Sequence, residues 1–258
     1  GYKEDPEYAI ETLKAAARAG AETAVLCDTN GGTMPWELVE IIRDVRSQVQ
    51  IPLGIHTHND SECAVSNAIA AVKEGCVQVQ GTINGYGERC GNANLCSIIP
   101  NLELKLGLQV LPAGSLLQLS EVSRYVAALA NLSYDEHLPY VGRAAFAHKG
   151  GFHVAAIRRN VNSYQHIDPA LVGNKMTVLV SELSGRGNLL SKAEEYGIKV
   201  QDNDQVNRVL ASVKTLESQG FSFEAAEASV IMLFKRHEKD YQQLFELIDF
   251  SAVVEHRQ

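Results

Sequence analysis

The sequence has no apolar run approaching the ~18–20 residues that a membrane-spanning helix needs, so no membrane segment is expected. It also lacks any block of Lys or Arg. With 23 basic and 31 acidic side chains the net charge is −8, which argues against a nucleic-acid footprint or a polybasic membrane patch. No basic stretch followed by an apolar run opens the chain, so secretion is not indicated and a cytoplasmic protein is expected. Cysteine is sparse. Cys27, Cys63, Cys76, Cys90 and Cys96 are an odd set with no C-x-x-C pair, which suits reduced thiols rather than a disulfide framework or a zinc knuckle. An initiating Met is missing too: the chain opens Gly-Tyr-Lys-Glu-Asp-Pro, and a piece of a longer protein is the expectation. What is present in quantity is apolar: 45% of 258 residues, enough for a packed core and too much for a disordered chain.

The first part alternates helix and strand. Asp5-Pro6 supplies a cap and an N1 proline, Ala9, Leu13 and Ala16 line one helical face, and Gly20 stops it. A short buried strand follows over 23–28, then a helix with the stripe Leu38, Ile41, Ile42, Val45 and Val49. The next strand runs from Ile51 to His58, and Asp60 or Ser61 caps a helix through Ala64, Val65, Ala68, Ile69 and Val72. Val77 and Val79 alternate with Gln78 and Gln80 in a third strand, and a Gly-rich loop opens a helix that ends near Gly107. Strands recurring after helices with short loops signal stacked βα units and a parallel sheet. A complete (β/α)8 barrel takes about 250 residues, whereas this alternation ends near Gly107. The expected fold is therefore α/β: the C-terminal half of a (β/α)8 TIM barrel, followed by a mostly helical α+β accessory region.

Beyond that point, helices are expected over 115–130, 204–220 and 223–234, and Leu244 to Val254 reads as a strand or hairpin start. The implied division is 1–112 for the half barrel with its site, 113–238 for accessory subdomains, and 239–258 for the start of a regulatory domain.

The sharpest chemical feature is His56-Thr-His58-Asn59-Asp60 at a strand end. Residues i and i+2 of a strand face the same way, ~6.5–7 Å apart, so two imidazoles can converge on one ion. The C-terminal ends of barrel strands are where such enzymes keep their sites. A pair of surface histidines is the plain alternative, and the barrel context favours the metal. Gly85-Tyr-Gly87-Glu88-Arg89-Cys90-Gly91-Asn92-Ala-Asn94 is not spaced as a dinucleotide fingerprint. Its glycines would let a loop fold back over the barrel mouth, with an amide oxygen of Asn92 or Asn94 completing the metal site. Neutral ligands leave positive charge on the ion, useful for polarising a carbonyl. At the preceding strand end, Thr29 would face the mouth beside a helix N-terminus, where a carboxylate is welcome. Taken alone, Thr29 or Thr33 at such a place is more often simply an N-cap.

Together, Asp28-Thr-Asn-Gly31, His56-Thr-His-Asn-Asp60 and Gly87-Glu-Arg-Cys-Gly-Asn92 resemble the acyl-CoA-condensing, metal-dependent aldolase-like synthases: citramalate, 2-isopropylmalate and homocitrate synthases. The resemblance continues through residues 147–153, 162–169 and 184–188, and the 216–229 segment is most similar to the long bacterial citramalate synthases. It implies that His56, His58 and Asn92 ligate a divalent cation (Mn²⁺, Mg²⁺ or Zn²⁺), and that Thr29 contacts the carboxylate of a 2-oxo acid. It further implies that Glu88, His153 and Tyr164 are catalytic, the last two reaching a neighbouring barrel in a homodimer. Acetyl-CoA would be the co-substrate and pyruvate the favoured acceptor, giving citramalate. The fourth ligand, an Asp, and a catalytic Arg of the family belong to a first barrel strand that this sequence does not contain. The alternatives are a 2-isopropylmalate or homocitrate synthase, a lyase related to hydroxymethylglutaryl-CoA lyase, or a non-catalytic assembly module.

Overall fold

The computed structural model describes residues 1–148, 156, 159–160, 164–181, 184–223, 226–246, 248–249 and 251–253. The chain forms two compact units, one of Gly1–Phe146 with His166–Met176, the other of Ala147–Gln165 with Thr177–Gln258.

In the first unit, Asp5 accepts a hydrogen bond from the Tyr8 amide at 3.0 Å and Pro6 occupies the first turn of α1 (Pro6–Arg18). There follow β1 (Ala24–Asp28), α2 (Pro35–Gln48), β2 (Leu53–Thr57), α3 (Ala64–Lys73), β3 (Gln78–Gln80) and α4 (Leu95–Pro100), which a π-helical turn extends to Lys105. The sheet is parallel in the order β1-β2-β3. Three βα units side by side are the half-barrel arrangement expected from the alternation.

Strand residues of alternate parity serve the two faces. Ala24, Leu53 and Ile55 are buried against Leu38, Ile42, Val45, Ala64, Ala68 and Ile98, the apolar stripes of the covering helices. Ile42 has no exposed surface, and Ile42→Ala should cost about 3 kcal/mol of unfolding free energy, read by urea denaturation. The opposite face carries the rows Val25–Gly54–Gln78 and Cys27–His56–Gln80 in register, a polar surface leading up to the site. A 3₁₀ turn (Ser115–Gln118) leads into α5 (Leu119–Leu129). Leu116, Leu119, Tyr140, Val141 and Phe146 pack with Cys96 and Val172 in a second cluster. Asn84, at φ 63°, fastens the loop after β3 to α5 by donating to the Ser123 carbonyl at 2.8 Å.

In the second unit, β4 (Ala147–His148) pairs in parallel with β5 (Thr177–Val178). Helices α6 (Arg186–Glu195), α7 (Asn203–Ser218) and α8 (Glu227–Arg236) enclose Val206, Val209, Val213, Leu233 and Phe234. Asp202 caps α7 through the Gln205 amide at 2.7 Å, and the buried Gln205 side chain donates to the Phe234 carbonyl at 3.1 Å.

Three local expectations are corrected. No strand forms among the described residues of 241–253, where Leu244 and Ile248 are more than nine-tenths exposed. Helix α8 begins at Glu227 rather than Phe223, whose side chain is buried in the core ahead of it. Cys63, not Asp60 or Ser61, is the N-cap of α3, and Asn59 Oδ1 takes the Ala64 amide at 3.2 Å. Asp60 and Ser61 are committed elsewhere, as the site shows.

Candidate metal centre

His56 is the fourth residue of β2, and His58 follows the strand's last residue, so both point from its C-terminal end. Their ring centroids lie 5.4 Å apart with planes inclined at 53°. His56 Nδ1 sits 3.1 Å from Gln80 Oε1, a neighbour in the same row of the sheet. With the amide oxygen as acceptor, Nδ1 carries the proton and Nε2 keeps its lone pair free for an ion. A hydrogen bond on the second ring nitrogen is how metal-binding imidazoles are held in orientation.

The loop after β3 brings in the third donor. It crosses the end of β2: Asn59 N donates to Gly91 O at 2.9 Å, Ala93 N to Thr57 O at 3.0 Å, and His58 and Asn92 form an antiparallel bridge. The loop thus folds over the mouth as its glycines suggested. Of the two candidate amides, Asn94 is spent: its Oδ1 caps α4 by accepting from Cys96 N at 2.9 Å. Asn92 is free to serve. Its Nδ2 faces Tyr86 O at 3.4 Å, and Gly87 leaves room for it, since a Cβ there would stand 2.3 Å from that nitrogen.

Two buried atoms carry the chemical argument. Neither His58 Nδ1 nor Asn92 Oδ1 has a hydrogen-bond partner among the described residues. Buried polar atoms left unpaired cost about 1–3 kcal/mol each, and they arise where an ion or water completes the arrangement. Two imidazole nitrogens and an amide oxygen are a donor set that fits a divalent cation of intermediate hardness. Among the described residues, no group of three His, Cys, Asp or Glu side chains makes a metal site unaided, so the amide is the distinguishing member. Replacing Gln80 with Leu should weaken Mn²⁺ binding about tenfold, whereas Gln80→Glu, a stronger acceptor for His56, should bind at least as tightly. Calorimetric titration measures both.

Thr29 is exposed immediately after β1, lining a cavity of about 550 Å³ with Asp28, Asn30 and Thr33. Neither threonine caps α2, whose N-cap is Met34, with Glu37 accepting from the Met34 amide at 2.9 Å. Thr33 is buried and donates to Asp28 Oδ1 at 2.8 Å, which fixes the turn and leaves Thr29 at the rim. Glu88 is exposed in the Gly-rich loop. Tyr164 is exposed and belongs to the second unit, and His153 lies outside the described residues.

Sequence reasoning missed the use of three residues. Gln80 was visible only as the polar half of an alternation; the row shared with His56 shows its use. Arg89 and Asp60 were quoted within motifs but not paired. Arg89 Nε and Nη2 donate to the two Asp60 oxygens at 2.7 and 2.9 Å, and Nη2 also donates to Thr29 O at 2.7 Å. The guanidinium holds the Asp60 carboxyl below the usual carboxylate range, and the carboxylate in turn raises Arg89.

The HMGL-like family model matches residues 2–126, and the model described as homocitrate synthase post-HMGL domain-like matches residues 140–220. The chain is 57% identical over 258 residues to (R)-citramalate synthase of Geobacter sulfurreducens, covering all of this chain and 49% of that protein. It is 50% identical over 257 residues to (R)-citramalate synthase of Aquifex aeolicus, covering 98% of this chain and 48% of that protein. A probable 2-isopropylmalate synthase of Methanopyrus kandleri is 34% identical over 216 residues, covering 84% of this chain and 43% of that protein. The chain spans about half the length of the curated relatives it matches. An HMGL-like segment thus carries the two-histidine strand, and a segment similar to the homocitrate synthase post-HMGL domain follows it in the chain.

Proposed function

We propose that this chain supplies the metal-holding part of a synthase that condenses acetyl-CoA with pyruvate to give citramalate and free CoA. The observation that carries the reading is the pair of unpartnered buried donors, His58 Nδ1 and Asn92 Oδ1, beside a His56 ring already oriented by Gln80. The citramalate branch is favoured over the isopropylmalate branch by the higher identity to relatives bearing that name.

His56, His58 and Asn92 would hold the cation, Mn²⁺, Mg²⁺ or Zn²⁺. When bound, it supplies Lewis-acid polarisation of the keto oxygen, which makes C2 of the 2-oxo acid electrophilic. All three ligands are neutral, so the chain itself removes none of that positive charge. The Thr29 hydroxyl would donate to the substrate carboxylate. A base takes a proton from the acetyl-CoA methyl group, and the resulting carbon nucleophile forms a C–C bond to C2 as the keto oxygen gains a proton. Water then cleaves the thioester and CoA leaves with its thiol. Glu88, His153 and Tyr164 are the proton-handling candidates, the last two acting in the neighbouring subunit of a homodimer. No described helix is long and apolar enough to cross a membrane, in keeping with small water-soluble substrates.

The test is release of free thiol from acetyl-CoA by the intact protein with Mn²⁺ or Mg²⁺ and a panel of 2-oxo acids. Pyruvate should be the preferred acceptor. Preference for 2-oxoisovalerate or 2-oxoglutarate would move the protein to the isopropylmalate or homocitrate branch. Cleavage of hydroxymethylglutaryl-CoA without any 2-oxo acid would replace the synthase reading with a lyase.

A further inference from the structure

The three loops that follow β1, β2 and β3 meet at one side chain. Arg89, from the third, grips Asp60 of the second through two parallel N–H···O bonds and simultaneously holds the carbonyl of Thr29 in the first. Ordinary rim ion pairs contribute little, because solvent screens them and two long side chains must be ordered. This one differs in geometry. The bond to Asp60 is bidentate, the arrangement in which Arg gives direction as well as attraction. Arg89 keeps a φ of 56°, a conformation that non-glycine residues adopt at a cost and that persists where surroundings impose it. Gly31 is shaped around the carboxylate: a Cβ there would stand 2.2 Å from Asp60 Oδ2. Ser61 completes the fastening by donating from both its amide and its hydroxyl to Gly31 O, at 3.1 and 2.6 Å.

The placement of this junction gives it consequence. Asp60 is two residues beyond His58, and Arg89 is three residues before Asn92. Thr29, whose carbonyl takes the third bond, is the residue assigned to the 2-oxo acid carboxylate. We propose that Arg89, acting through Asp60, is a positioning residue that couples the metal-holding end of the site to the 2-oxo acid end, so that pyruvate binding depends on the latch even when the metal is in place. The proposal rests on the function proposed above. Neither side chain is assigned contact with substrate; the pair acts by setting the relative position of Thr29 and Asn92.

The experiment uses the intact protein, with Mn²⁺ as probe of one end and pyruvate as probe of the other. Mn²⁺ occupancy is followed by electron paramagnetic resonance, and pyruvate affinity is then measured at saturating Mn²⁺ by its effect on the Mn²⁺ signal. Arg89→Ala and Asp60→Ala should each weaken pyruvate binding about tenfold or more. The double variant should be no worse than either single one, because the two residues act as a unit. Arg89→Lys, which can satisfy one partner but not all three bonds, should recover part of the loss. General loosening of the fold would instead lower the unfolding midpoint of Arg89→Lys as much as that of Arg89→Ala, with no recovery of pyruvate affinity. That result would overturn the proposal, as would Arg89→Ala within twofold of wild type or single effects that sum in the double variant. Wild-type protein that fails to hold Mn²⁺ would overturn the metal site and the latch together; wild-type protein that holds it while Arg89→Ala is unaffected overturns the latch alone.

Discussion

Replacing His58 with Ala should abolish metal retention, lowering Mn²⁺ affinity at least 100-fold, while leaving the metal-free fold within about 1 kcal/mol of wild type. The two halves of this expectation come from one observation. His58 Nδ1 is a buried atom with no hydrogen-bond partner among the described residues, so its removal sacrifices no hydrogen bond within the protein. With an ion present, the same atom belongs to the group that compensates the burial. Functional sites commonly hold such uncompensated groups in their empty state, at some expense in stability. Metal content after desalting, together with urea denaturation of the metal-free protein, reads both halves. Asn94→Ala is the internal comparison. It lies two residues from Asn92 but caps α4, so it should cost about 1 kcal/mol of stability and leave metal content unchanged. Undiminished metal in His58→Ala, or equal loss in the two variants, would remove the site assignment.

The half barrel was legible because its signals are local. The Asp5-Pro6 cap, the Leu38–Val45 stripe and the glycine stops each act within a turn or two, and α1, β1, α2, β2 and α3 stand where they pointed. The His56–His58 pair was legible for the same reason, since a strand's two-residue repeat fixes its facing. What escaped depends on distant partners. Spacing alone left Asn92 and Asn94 both open, because the choice turns on which amide the backbone of α4 claims, and it was the family resemblance that pointed to Asn92. Gln80 acquires meaning only from the register that seats it beside His56, 24 residues earlier. The return of residues 166–176 to the first unit could not be read from periodicity either. Val172 is fully buried there and its carbonyl accepts from Ser120 Oγ at 2.7 Å, a contact across 52 residues. Leu244, Phe245, Ile248 and Val253 misled because apolar residues mark a strand only where a neighbouring strand or a core receives them.

The loop over the mouth offers the other large effect. Gly91 adopts φ +90°, and a Cβ there would stand 2.1 Å from the carbonyl oxygen of Gly85. That oxygen cannot retreat without cost, because it accepts the Asn92 amide at 2.9 Å, and the Gly91 carbonyl itself accepts from Asn59 N at 2.9 Å. Gly91→Ala therefore combines an unfavourable backbone angle with a collision against backbone. The relief available is a shift of the turn that carries Asn92 away from His58. Metal affinity should fall about 100-fold, equivalent to about 2.8 kcal/mol, while the helix-covered core, which takes Ala93 from this loop, keeps most of its packing. Gly107→Ala separates the two causes. Gly107 also has a positive φ, +68°, but nothing lies within 4 Å of its added Cβ. It should lose about 1 kcal/mol of stability and no metal affinity. Calorimetric Mn²⁺ titration of the two variants, alongside their urea midpoints, tests the distinction: equal metal affinities would mean that the placement of Asn92 by the Gly85–Gly91 contact does not govern the site.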